Sequence, residues 1–211
     1  MGAITHSGRR RSVAVSAVVF ALIVAVVSAC ASSSARQCGS AVDSGELSRL
    51  ATTTDSTAAA LRRATDSASV ALRQYLQSVV DRAAALDACG RVTSPRDLRT
   101  AAQIGLSAGQ LGAETLERAY RWSRRAVVAD TSDRASWRLM AGAWDQLQLV
   151  QRQPQWFGTV LRCGGPATAR CALAPIDTTR VTEAQRVELG LRTLLQQREH
   201  VDSLNRSRGR P

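Results

Sequence analysis

Apolar positions obey different rules in different stretches of this chain. From Val13 to Val27 they run almost unbroken, behind Arg9, Arg10 and Arg11 and ahead of the small residues Ser28 and Ala29. From Ser44 to about Leu86 they take helix-like spacings, through Leu47, Leu50, Leu61, Val70, Leu72, Leu76, Val79, Val80 and Leu86. Thr52-Thr53-Thr54-Asp55-Ser56 predicts a break in that stretch, because β-branched residues weaken a helix and Asp or Ser can cap the next one. Ser94-Pro95-Arg96-Asp97 marks a cleaner start, with a cap, a proline at the first helical position and an acid at the third. That helix should run to about Ala108, where Gly109 and Gly112 turn the chain. The next covers Glu114 to Val128, and another runs from Arg134 to about Gln151, with Asp130-Thr131-Ser132 as turn and cap and Pro154 as the stop.

Residues 154–181 change character. Trp156-Phe157-Gly158-Thr159-Val160-Leu161 reads as a short strand and Cys171 to Pro175 as its partner, a small hairpin inserted at about residues 156–175. Thr182 then caps a short helix with Gln185 three residues on, and Gly190 ends it. A last helix from about Leu191 to Leu204 should pack back through Leu194, Leu195, Val201 and Leu204, leaving residues 207–211 frayed. The fold class expected is all-α: antiparallel helical hairpins over residues 41–206 with a small disulfide-closed β-hairpin.

The beginning of the chain sets the compartment. A basic start, an apolar stretch and Val27-Ser28-Ala29-Cys30 together resemble a bacterial lipoprotein signal. The resemblance implies that residues 1–29 are removed, that Cys30 carries lipid, and that residues 30–40 serve as lipidated cysteine and tether. An uncleaved anchor is the main rival, although the run is short against the roughly 20 residues of a spanning helix; ordinary secretion is the other. All three place the rest of the chain outside the cytoplasm. Ala31 in place of aspartate resembles outer-membrane cargo, facing the periplasm, where the organism has two membranes.

An exported chain with four further cysteines, Cys38, Cys89, Cys163 and Cys171, suggests two disulfides. Cys163 and Cys171 bracket Gly164-Gly165-Pro166 and are expected to close a local loop, which leaves Cys38 with Cys89 by elimination. An unbroken helix over 44–86 would hold those two apart, so the pairing requires that segment to fold back as a hairpin. No metal or other cofactor is expected: there is no CxxC, and His200 is the lone histidine beyond the signal.

The full chain has 28 basic and 17 acidic residues, a net charge of +11, and no lysine. The arginines are scattered and often near acids, so solvated helix faces are the first reading and attraction to lipid headgroups or anionic polymers the sharper one. Export argues against nucleic acid as a partner.

Two further resemblances concern the body of the chain. The helices from Pro95 to Gln151 look like tetratricopeptide units, with Ala119 and Ala126 at the small positions and Trp137, Met140, Ala141 and Trp144 at the spacing of the next unit. Asp145-Gln146-Leu147, Pro154-Gln155-Trp156-Phe157-Gly158-Thr159, Pro175-Ile176-Asp177, Val181-Thr182, Arg186 and Gly190-Leu191 resemble a family of bacterial domains of unknown function with a Pro-Gln-x-Tyr/Phe-Gly-Thr motif. The family's arginine after the aspartate is Gln146 here, its glycine before Pro-Gln is Arg152, its closing glutamine is Val160, and no histidine accompanies Gln103. That resemblance supplies no activity.

Asp145, Gln155, Trp156, Gly158, Thr159 and Arg162 form the candidate ligand or partner site. The plainer reading of the same residues is a lock at a helix-to-strand junction, with Asp145 receiving backbone or arginine bonds from the turn. No catalytic residues are assigned: Asp177 and Glu183 could be imagined as paired acids, and Trp122, Trp137 and Trp144 read as helical core before they read as a carbohydrate platform. The expected role is non-enzymatic, a lipid-anchored module that binds or scaffolds an envelope protein. A binder of small ligands or cell-wall fragments is the alternative, and an enzyme acting on envelope polymers the third reading.

Overall fold

The computed structural model describes residues 45–163 and 170–208. The expected signal and tether, Cys30 and Cys38 therefore lie outside the described residues, as do the hairpin tip and residues 209–211. Five helices come first: α1 (Glu46–Leu61), α2 (Asp66–Ala88), α3 (Pro95–Ser107), α4 (Ala113–Ala129) and α5 (Arg134–Val150). A short antiparallel hairpin follows, β1 (Leu161–Cys163) and β2 (Cys171–Leu173), then α6 (Glu183–Glu188) and α7 (Leu194–Arg208). The fold is all-α, with stacked helices and a hairpin closed by the Cys163–Cys171 disulfide.

The first segment does fold back, but not where the threonines suggested. Thr52, Thr53 and Thr54 lie inside α1, and their hydroxyls donate to the carbonyls of Ser48, Arg49 and Leu50 at 3.1, 2.8 and 2.7 Å. Bonding to the carbonyl four residues back satisfies each hydroxyl without breaking the helix. The break comes at Arg62–Thr65, and Asp66 opens α2. Cys89 at the end of α2 is disulfide-bonded; its expected partner, Cys38, is outside the described residues. Val70, read as core, is exposed, whereas Leu76, Val79, Val80, Ala83 and Leu86 form the buried stripe.

From α3 to α5 the expected boundaries hold to within about a residue. Ser94 accepts from the Asp97 N–H at 3.1 Å and donates to its carboxylate at 2.7 Å. On one side α3 neighbours both α1 and α5. On the other, α2 and α4 are bridged by Arg118–Asp81 and by Asp87, which accepts from the Trp122 indole and the Arg125 guanidinium. The tightest approach is α3 on α4. A Cβ on Gly105 would meet the Cβ of Ala119 at 2.9 Å and its Cα at 3.2 Å. Ala119 and Ala126 are fully buried, as small residues at such a contact should be.

The cap of α5 is Asp133, one residue beyond the expected triplet. It accepts from Ala135 N–H, Ser136 and Arg99. These bonds hold its carboxyl below the usual aspartate range, the Ser136 hydroxyl contributing most. Asp130 instead closes the preceding turn by accepting from Ser132. After α5 the chain turns through Arg152, which has φ 61° although it is not glycine.

The strand expected over Trp156–Leu161 starts only at Leu161; the residues before it are a loop joined to Ile176 by one isolated bridge. Helix α6 carries the Thr182–Gln185 capping box. Helix α7 starts later than expected, at Leu194, because Thr193 and Gln196 form a reciprocal cap of their own. It continues through Arg208, past the point where fraying was expected. Asn205 on α7 pairs through its side-chain amide with both backbone groups of Cys171, at 2.7 and 3.0 Å, and so fastens the hairpin edge.

Two stability measurements check this packing. Gly105→Leu should lower unfolding free energy by about 2 kcal/mol or more, read by urea melts, because a rigid alanine and backbone stand where the side chain must go. Arg152→Gly should raise it by about 1 kcal/mol, because glycine occupies the left-handed region without the penalty a side chain incurs there.

Candidate functional site

The loop after α5 is organised around one buried carboxylate. Asp145 is 0 % exposed. Its Oδ1 accepts from the backbone N–H groups of Trp156 and Phe157 at 2.8 and 2.9 Å. Its Oδ2 accepts from the backbone N–H and hydroxyl of Thr159 at 2.9 and 2.8 Å. Burial pushes the carboxyl above the usual aspartate range, and the four donors oppose that shift. Removing the charge from water is expensive; four donors in place make it tenable.

Gly158 sits inside this wrap with φ 64°, and a Cβ there would meet Ile176 and Leu194 at 3.0 Å. Glycine is required twice, by the left-handed backbone and by the lack of space. Gln155 is equally buried and fully engaged. Its Nε2 donates to the carbonyls of Val160 and Ala174 at 3.2 and 2.9 Å, while its Oε1 accepts from Val160 N–H at 2.9 Å. Its backbone pairs with Pro175 and Asp177 on either side, both at 2.9 Å. One glutamine thus ties the loop to the segment leaving β2.

Arg186 completes the lock. The sequence pointed to it only within the family motif, without a role, yet it is among the most buried side chains of the protein. Its guanidinium donates to the Phe157 carbonyl and, through Nε and Nη2, to the Arg192 carbonyl at 3.1 and 2.9 Å. Burial lowers its pKa, opposed by the charges of Glu183 and Asp145. A planar fork with several donors can reach carbonyls on two segments at once.

An aromatic row lies beside the lock. Tyr120 and Trp144 have ring centroids 5.1 Å apart, and Trp144 and Trp156 4.8 Å apart, edge to face. Arg180 stands 5.3 Å over the Trp156 ring. The Trp144 indole N–H is buried without a hydrogen-bond partner, alone in this among the described side chains. Of the three tryptophans read as core, Trp122 is buried; Trp137 and Trp144 are half-buried, and Trp137 donates to the Thr131 carbonyl at 3.0 Å.

The structure therefore brings Asp145, Gln155, Gly158 and Thr159 together, with Trp156 at their edge. It does not bring Arg162 to them: that residue is exposed on β1, opposite Ala172. In the hairpin, Cys163 and Cys171 face each other across the two strands, which is why the local disulfide closes there. Asp177 and Glu183 are engaged separately, Asp177 by Thr179 and Arg180, Glu183 by Leu194 N–H. Among the described residues no group of three or more His, Cys, Asp and Glu is placed to hold a metal ion, and no helix is long and apolar enough to cross a membrane. The junction is a lock whose polar atoms serve one another, beside a recess of about 390 Å³ bordered by Gly158, Thr159, Arg186 and Arg192.

No family model, no curated protein and no solved structure matches the chain.

Asp145→Asn tests the lock. An amide keeps the shape but turns an NH₂ toward N–H donors, so about 2–4 kcal/mol of stability should be lost. Thermal unfolding read together with proteolysis near residues 155–160 should show that loop opening first. A variant melting with the wild type would show that the carboxylate carries no such load.

Proposed function

We propose that this chain is a lipid-anchored envelope protein whose helical stack binds another envelope protein, as a scaffold rather than an enzyme. The lipoprotein-like signal ending at Cys30 supports the anchor and the compartment. The lock around Asp145 supports a structural role for that motif, because its acceptors and donors are already used.

The observation that carries the binding reading is the groove between α1, α3 and α5. It holds a recess of about 510 Å³, lined by Ser48, Ala51, Gln103, Arg138 and Leu139 among others. Arg138 is exposed there and has no ion-pair or hydrogen-bond partner among the described residues. An unengaged guanidinium beside aliphatic groups suits an extended acidic segment of a protein partner, since the fork can take a carboxylate with two bonds while the flanks cover apolar atoms.

A second reading rests on another recess, of about 490 Å³, where Trp137 and Phe157 meet Arg134, Arg180 and Glu188. Aromatic faces with charged hydrogen-bonding groups around them suit a cell-wall fragment. An enzyme acting on envelope polymers is the third reading. Asp145 lends it no support, since four donors fill the carboxylate.

Crosslinking pull-downs from native membranes separate the first two. Wild type should recover one envelope protein, Arg138→Glu should recover it at least about tenfold less, and Trp137→Ala should leave recovery unchanged. Loss confined to Trp137→Ala would move the protein contact to the recess at Trp137, while retention on cell-wall fragments by wild type and not by Trp137→Ala would favour the second reading. No specific partner with any of the three would sink the scaffold reading.

A further inference from the structure

Away from both recesses, one face of α4 gathers cations around exposed apolar surface. Arg121, Arg124, Arg125 and Val128 follow one another at intervals of three, one and three, which places them on a single stripe. With Thr93 and Leu98 they border a shallow recess of about 580 Å³. Val128 is 73 % exposed, the highest among the exposed large hydrophobic side chains of the described residues. The cations on the stripe are of two kinds. Arg125 is held in place, donating to the Asp87 carboxylate at 2.7 and 2.8 Å and to the Val92 carbonyl at 3.1 Å. Arg121 and Arg124 are exposed and have no partner among the described residues.

The acids nearby are accounted for. Asp87 is taken by Arg125 and by the Trp122 indole, Asp97 by Ser94, and Asp130 by Ser132. Glu117, one turn before Arg121, bounds the stripe without an ion pair to it among the described residues. What remains is two guanidinium groups without an ion pair flanking a protruding valine, with the free carboxylate of Glu117 at one end.

We propose that this face docks on an anionic phospholipid bilayer. Charge complementarity is the first argument: guanidinium groups take phosphate oxygens with two bonds, and a valine at the same level enters the headgroup boundary. Reach is the second, and it rests on the lipid-anchor reading. The stretch from Cys30 to Ser44 spans at most about 50 Å when fully extended, so an anchored domain stays within touching distance of the bilayer. At that range modest surface attraction decides which face turns down, and one arginine near an anionic surface shifts such an equilibrium by about fivefold. The groove between α1, α3 and α5 shares only α3 with this face, through Leu98, and none of its lining residues.

The test uses the full lipidated chain reconstituted in vesicles of phosphatidylcholine alone, or with about 30 % phosphatidylglycerol, a content that gives an anionic surface. Phenylglyoxal modification of each arginine is followed by mass spectrometry. Arg121 and Arg124 should react about fivefold more slowly on the anionic vesicles. Arg138 and Arg192, exposed on other surfaces, should react equally on both, and the protection should fade in high salt. The Arg121→Glu, Arg124→Glu double variant has no internal bonds to lose; it should melt with the wild type, and any slowing of Arg125 that the wild type shows on anionic vesicles should be absent from it.

Equal rates at Arg121 and Arg124 on both vesicles, or slowing spread evenly over all exposed arginines, overturns the proposal. Flotation with neutral vesicles reports the lipid alone. A chain that fails to float there refutes the anchor, while slowing confined to Arg121 and Arg124 when anionic vesicles are added still upholds the face.

Discussion

Four hydrogen bonds converge on the carboxylate of Asp145, and the last third of the protein hangs on them. The aspartate belongs to α5, the last helix of the stack; its donors belong to the loop that follows. With Trp156, Phe157 and Thr159 held from below, the Phe157 carbonyl is aimed at Arg186. Arg186 in turn grips the Arg192 carbonyl and sets the path into α7. Gln155 closes the other side by joining the loop to the segment after β2. An uncompensated anion in this position would be forbidding; with its donors in place it is a fixed point from which three segments take their geometry.

This arrangement separates two uses of polar residues. Inside the junction the polar atoms of Asp145, Gln155 and Arg186 are spent on the junction itself. On the helical stack the reverse holds. Four arginines are paired across helices, Arg82 with Glu46, Arg99 with Asp133, Arg118 with Asp81 and Arg125 with Asp87. More than half of the arginines in the described residues have no ion pair, and Arg121, Arg124 and Arg138 among them border recesses with apolar groups. In a protein whose cations are all arginine, the unpaired ones mark surfaces more sharply than the total charge does.

Much of the fold was legible because its signals are local. Ser94 with Asp97, Thr182 with Gln185, and the short spacing of Cys163 to Cys171 each specify a cap or closure within a few residues, and each is present. The link from Asp145 to the following turn was legible for the same reason. What escaped depends on context that no short window holds. The threonine run reads as a breaker until its hydroxyls are given the carbonyls four residues back. Arg186 has no role in the sequence motif until the loop that buries it is in place, and Arg162 reads as a companion of Asp145 and Gln155 although it is exposed on β1. Gly105 carries no sign of its role, since the atom that forbids a side chain there belongs to Ala119 on another helix.

The span of the Arg186 bonds also sets an order of assembly. Helices α1 to α5 pack mainly on near neighbours, so each hairpin can close soon after its second helix is available. Asp145 meets its last donor 14 residues later, at Thr159. The clamp on Phe157 waits for Arg186, 29 residues after Phe157 in sequence, and Arg186 itself waits for Arg192. A chain threaded out of a narrow channel amino end first can therefore build its stack early, yet it holds a half-wrapped anion until the tail arrives. The turn between α6 and α7 acts as a latch, and a chain stopped short of it would leave the earlier helices stacked and the seam beside them open to water and proteases.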